Sequence, residues 1–184
     1  APLKEFLREN GVDVSLIETA KVENGQAIIQ VDDSGQNSIF LFPGSNRAVT
    51  PIFAGNVLCY FEEGDYILLQ NEISSLGEII KIARERGMKI ILNPSPFDEH
   101  LDSCDLSAVD TFLLNEVEGE AVSGTSDPKR MADAILEQYP KSHVVLTLGK
   151  QGVLYKDASH SASHGIFEMP VIDTTAAGDT FTGY

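Results

Sequence analysis

Residues 66–96 read Y-I-L-L-Q-N-E-I-S-S-L-G-E-I-I-K-I-A-R-E-R-G-M-K-I-I-L-N-P-S-P. Tyr66 to Gln70 is a continuous apolar run, the pattern of a central parallel strand covered on both faces. Leu76, Ile79, Ile80 and Ala83 then repeat at helical spacing to about Arg86, with Gly87 as a stop. Lys89 to Leu92 is the next strand, ended by N-P-S-P. A strand, a helix and a second strand in this order form a crossover unit, and strand–helix alternation predicts an α/β fold with a mainly parallel sheet.

The alternation continues toward the C-terminus. Phe112 to Leu114 is a strand running into Asn115. Asp127-Pro128 is a cap followed by a first-turn proline, and Ala132, Ile135, Leu136 and Tyr139 form the stripe of the helix it starts. His143 to Leu148 is a strand ending in G-K-Q-G. The segments Gly152–Tyr155 and Gly165–Met169 read as extended. Toward the N-terminus, Leu3, Phe6 and Leu7 predict an amphipathic helix over residues 2–10, stopped by Gly11. Residues 12–22 read as extended. Residues 26–31 and 38–42 are β-rich runs flanking D-D-S-G-Q-N, which predicts a hairpin. Thr50 and Pro51 open a short helix.

Composition narrows the function. The chain has 184 residues, 42% of them hydrophobic, which suits one soluble domain with a sizeable core. Thirteen basic residues scattered among 28 acidic ones give a net charge of −15, the wrong balance for a nucleic-acid partner. No run approaches the roughly 18 apolar residues of a membrane span, and the N-terminus does not read as a signal peptide. Cys59 and Cys104 lack metal-site spacing and read as reduced, buried thiols of a cytoplasmic protein. His160 and His164 lie four apart, but their Ser-rich surroundings read as a solvated loop.

Ligands of open α/β sheets gather at the C-terminal ends of the strands. Four polar clusters fall there: Asn71-Glu72, Asn93, Asn115 and Thr147–Gly152. Asn93 reads as structural. The last stretch, V-I-D-T-T-A-A-G-D-T-F-T-G-Y (171–184), adds small residues before a helix whose first turn holds Asp179. Free N–H groups at a helix start can hold a phosphoryl group. A carboxylate beside them makes a poor anion ligand but a suitable base for a hydroxyl proton. Asp179 could equally be an ordinary first-turn acid that complements the helix dipole. No P-loop motif is present, and neither H-R-D nor D-F-G occurs.

D-T-T-A-A-G-D-T-F-T-G (173–183) resembles the C-terminal signature of the ribokinase family of carbohydrate kinases. The resemblance implies a Rossmann-type three-layer α/β fold with a small β-lid. It makes Asp179 the catalytic base, with Ala176, Ala177 and Gly178 as the anion hole. Asp173 and the Thr175 carbonyl would belong to a monovalent-cation (K+) site. The family's N-x-x-E motif falls on Asn115 and Glu118. Asn115 would contact the nucleotide phosphates, and Glu118 would position Mg2+ through water, which suits an ion that uses few carboxylates. Without the resemblance, these acids are ordinary dipole complements. The T-L-G-x-x-G segment brings Thr147, Leu148, Gly149, Lys150, Gln151 and Gly152 against ATP, although Lys150 is not part of the family pattern. Read alone, this segment is a plain tight turn between strands. Glu72 would bind a sugar hydroxyl, or simply sit at a helix start.

The resemblance implies an ATP-dependent sugar kinase of ribose metabolism, converting D-ribose to ribose 5-phosphate. The alternatives are another sugar, a sugar acid or a nucleoside as acceptor, and a non-catalytic module that binds nucleotide or sugar. Residues of about 12–46 would include the lid strands, whose Ile28, Ile39, Phe40 and Phe42 need covering, as in a homodimer joined through the lid. Residues of about 50–184 would form the nucleotide-binding core. Family members carry further segments at both ends, so the chain reads as an incomplete domain of a longer enzyme, weakly active or inactive by itself.

Overall fold

The computed structural model describes residues 2–31, 37–168 and 176–184. It divides into two compact units, Ala1–Tyr60 with Glu72–Ser74, and Phe61–Asn71 with Ser75–Tyr184.

The first unit opens with helix α1, Pro2–Glu9. Gly11 stops it at φ +80°. The segment read as extended over 12–22 forms no strand. Asp13 accepts the Ser15 N–H at 2.8 Å and Ile17 N–H bonds to the Val14 carbonyl, so local turns use the backbone groups a ladder would need. Strands β1 (Gln26–Val31) and β2 (Asn37–Phe42) pair antiparallel, with Ile28 opposite Phe40. The five residues joining them lie outside the described residues. Gly44 follows at φ +49°, where an added Cβ would sit 2.5 Å from the Glu23 carbonyl oxygen. Helix α2, Pro51–Leu58, is capped by Thr50, whose hydroxyl accepts the Phe53 N–H at 3.1 Å.

The second unit is a mixed sheet flanked by helices, the three-layer α/β arrangement expected. Its strands are β3 (Tyr66–Gln70), β4 (Lys89–Asn93), β5 (Thr111–Leu114), β6 (His143–Thr147), β7 (Val153–Lys156) and β8 (Ser161–His164), hydrogen-bonded in that order. β3 to β6 are parallel, and β7 and β8 are antiparallel additions. The helices are α3 (Leu76–Glu85), α4 (Glu116–Ser123), α5 (Pro128–Gln138) and α6 (Ala177–Gly183). Alternate strand residues Ile90, Leu92, Phe112, Val144 and Leu146 are fully buried, together with Ile80 of α3 and Ile135 of α5. Burying each such side chain stabilises by about 1.5–3 kcal/mol.

Four further expectations are corrected. β3 is not central: among the described residues it is the sheet edge, with Tyr66 73% and Leu68 51% exposed. The stretch around His160 and His164 is not a loop throughout, since Ser161–His164 form β8, while residues 165–168 form no strand. The Asp157 carboxylate accepts the Ser159 and His160 N–H groups, both at 2.7 Å, and turns the chain back onto β7. All four β8 side chains are exposed, so no apolar alternation marks the strand. Neither cysteine forms a disulfide, but Cys59 is exposed and Cys104 only half-buried rather than buried.

Candidate active site

The C-terminal ends of β4, β5 and β6 open on one pocket of about 220 Å³ in the second unit. Asn115, Glu118 and Thr147 line one part of it. Ala176, Ala177, Gly178 and Asp179, at the start of α6, line another. Gln70, Asn93, Ser95 and Thr182 complete the polar lining.

Local chemistry places each group. Asn115 caps α4 by accepting the Val117 and Glu118 N–H groups at 2.9 and 3.0 Å. Glu118 returns both bonds: Oε2 accepts the Asn115 N–H and Oε1 accepts its Nδ2, each at 2.9 Å. This reciprocal cap holds the carboxylate of Glu118, a residue only 6% exposed, in one orientation. Thr147 donates its hydroxyl to the Leu114 carbonyl at 3.2 Å, tying the ends of β6 and β5. Ala176 takes a left-handed conformation at φ +56°, and its carbonyl accepts the Thr180 N–H at 2.9 Å. That strained entry starts α6 beside the pocket. Asp179 lies in its first turn, exposed.

Of the segment assigned to nucleotide, Thr147 lines the pocket. Leu148–Gly152 form the turn into β7, closed by the Leu148 N–H on the Gly152 carbonyl at 2.8 Å, and do not line it. Lys150 is exposed on that turn. Glu72 belongs to the first unit and is not a lining residue. Asp173 and Thr175 lie outside the described residues. Gln70 and Ser95 were not singled out by the sequence, since neither residue type carries a motif there. Asn93, read as structural, does accept the Ser95 N–H at 3.1 Å, and it also faces the pocket.

Glu118 and Asp179 line the pocket, and no Lys or Arg does so among the described residues. A polyphosphate held here therefore needs N–H groups and a metal cation for neutralisation. No three His, Cys, Asp or Glu side chains among the described residues gather to ligate a metal directly. Each Glu118 oxygen already accepts one bond and keeps a lone pair. That arrangement fits contact with Mg2+ through its water shell.

Residues 1–183 match the family described as pfkB family carbohydrate kinase. The chain belongs to this family. It is 35% identical to the ribokinase of Staphylococcus aureus (strain COL), covering 94% of this chain and 59% of that protein. It is 27% identical to the deoxyribokinase of Salmonella typhi, again over 94% of this chain and 59% of the other. The ribokinase from Cryptococcus neoformans var. grubii serotype A, solved in complex with ADP, superposes with a TM-score of 0.78 at 26% identity, covering 98% of this chain and 64% of that one. The pfkB chain thus spans less than two thirds of the length of these relatives. No helix among the described residues is long and apolar enough to cross a membrane.

Proposed function

We propose that this pfkB chain forms the catalytic core of an ATP-dependent sugar kinase, with D-ribose as the acceptor. The observation that carries the reading is the pocket that brings Asp179 and the Ala176–Gly178 backbone together with the Asn115–Glu118 pair. Asp179 takes the proton of the acceptor hydroxyl as its oxygen attacks the γ-phosphorus of ATP, and ADP leaves. The Ala176–Gly178 amides hold the phosphoryl oxygens in transfer. Asn115 orients the nucleotide phosphates, while Thr147 and the turn to Gly152 support the nucleotide. Mg2+, when bound, supplies charge neutralisation at the phosphates, and Glu118 is the residue that would orient its waters. Asp173 and the Thr175 carbonyl are assigned to K+, and Glu72 to a sugar hydroxyl. All three assignments rest on the family motif alone.

The deoxyribokinase relative supports a second acceptor, deoxyribose, for the same chemistry. The experiment is ADP release from MgATP across a sugar panel, with and without K+, on the intact protein. Ribose-dependent, K+-stimulated release is expected. A preference for another sugar would move the acceptor, and binding without release from a folded protein would leave a binding module.

The β1–β2 hairpin leaves Ile28 60%, Phe40 60% and Phe42 53% exposed. This supports a lid that pairs with a second copy, and sedimentation of the intact protein as a monomer would rule that out. Two cysteines outside any disulfide agree with a cytoplasmic setting.

A further inference from the structure

We propose that Asn71 is a positioning residue for phosphoryl transfer: its buried carboxamide fixes the segment 93–98, and with it the pocket wall formed by Asn93 and Ser95. The proposal rests on the kinase reading above.

Asn71 directly follows β3 and is fully buried. Its backbone N–H donates to the Ser95 carbonyl at 3.0 Å. Its Nδ2 donates to the Pro96 carbonyl at 2.7 Å and to Asp98 Oδ1 at 2.8 Å. Both side-chain partners are acceptors, so the orientation of the amide is determined. Asp98 Oδ1 also accepts the His100 N–H at 3.0 Å, starting the turn Glu99–Ser103. One side chain thus grips a segment 25–27 residues away in sequence.

Residues 94–98 belong to no helix or strand. Without a ladder of its own, this segment depends on such anchors for its place. Asn93 and Ser95 lie in or beside it and line the pocket. The remaining Asn71 atom, Oδ1, is buried without a hydrogen-bond partner. A residue present only to fill space would be apolar here, because an unsatisfied buried acceptor is costly. The two N–H donors are what an apolar residue of the same size could not supply.

The test is steady-state kinetics of the intact protein carrying Asn71→Leu, which keeps the volume and removes the donors. Expected is a fall in kcat of about tenfold with KM for ATP within about twofold, since misplacing a wall beside the reacting groups costs rate more than affinity. Asp98→Ala should shift kcat the same way, by about threefold, and Asp98→Asn, which keeps an acceptor oxygen, should restore it. Hydrogen exchange of peptides spanning 95–100 should quicken in Asn71→Leu and Asp98→Ala. An unchanged kcat in folded Asn71→Leu overturns the proposal. So do proportional changes in kcat and KM, or an Asp98→Asn variant as impaired as Asp98→Ala. If Asn71→Leu does not fold, the Asp98 pair decides. If the wild-type protein transfers no phosphoryl group, the kinase reading fails by itself, and unchanged exchange over 95–100 then overturns the anchoring role.

Discussion

Glu118 and Asn115 hold each other by three hydrogen bonds: the Glu118 carboxylate accepts the Asn115 N–H and Nδ2–H, and Asn115 Oδ1 accepts the Glu118 N–H, with the Val117 N–H donating to that same oxygen. The pair that closes the start of α4 is also the pair that faces the pocket. Stability and chemistry are therefore coupled at this corner.

Glu118→Gln separates the two. The amide can replace one acceptor but puts its own NH2 against a donor of Asn115, so the cap is weakened by about 1 kcal/mol. The lost charge should raise the magnesium concentration needed for half-maximal turnover by roughly tenfold. A magnesium titration beside urea unfolding checks both. An unchanged magnesium requirement would remove Glu118 from the metal's surroundings.

Asp179→Asn leaves the fold alone, because the side chain is exposed. Turnover should drop by roughly 10²-fold or more, while nucleotide affinity stays near wild type. Single-turnover kinetics with calorimetric ADP binding would read the two separately. A mild loss of rate would reject Asp179 as the base.

Gly152→Ala should destabilise the second unit by roughly 2 kcal/mol or more. At φ +93° the new Cβ would come 1.9 Å from the His164 carbonyl oxygen, so the turn after β6 must part from the end of β8. Urea unfolding followed by far-UV dichroism measures this, and a loss under about 0.5 kcal/mol would contradict the contact.

Asp157 should report the same hairpin through pH. The Tyr155 hydroxyl first, then the Ser159 and His160 N–H groups, hold its carboxyl well below the usual carboxylate range. A group depressed on folding stabilises above its unfolded pKa and loses that contribution as pH falls through its folded one. The β7–β8 pairing should therefore keep this support in full above the ordinary carboxylate range and lose it progressively as pH falls below that range, and Asp157→Asn should remove that acid dependence. Carboxyl chemical shifts across an acid titration would show it, and an Asp157 that titrates with the exposed carboxylates would refute it.

Much was legible in the chain itself. The β3–α3–β4 unit follows from a continuous apolar run, a helical stripe and Gly87, all local signals. The Asp127-Pro128 cap was legible because the cap lies two residues from the N–H it serves, and the helix starts at Thr50 and Asn115 are equally local. The G-D motif and N-x-x-E carried the family. Other features depend on contacts that no local pattern encodes. β8 is held by backbone pairing of exposed residues, with no alternation to see. The edge position of β3 depends on which strands lie beside it, not on its own apolar run. The partners of Asn71 lie 25–27 residues away, and burial of its amide became visible only once β3 and β4 stood side by side. Sequence determined the elements that carry a cap or an apolar period, because those signals act over one or two turns; the tertiary structure decided the pairing of β8 and which polar groups meet at the strand ends, because that depends on the order and register of the sheet.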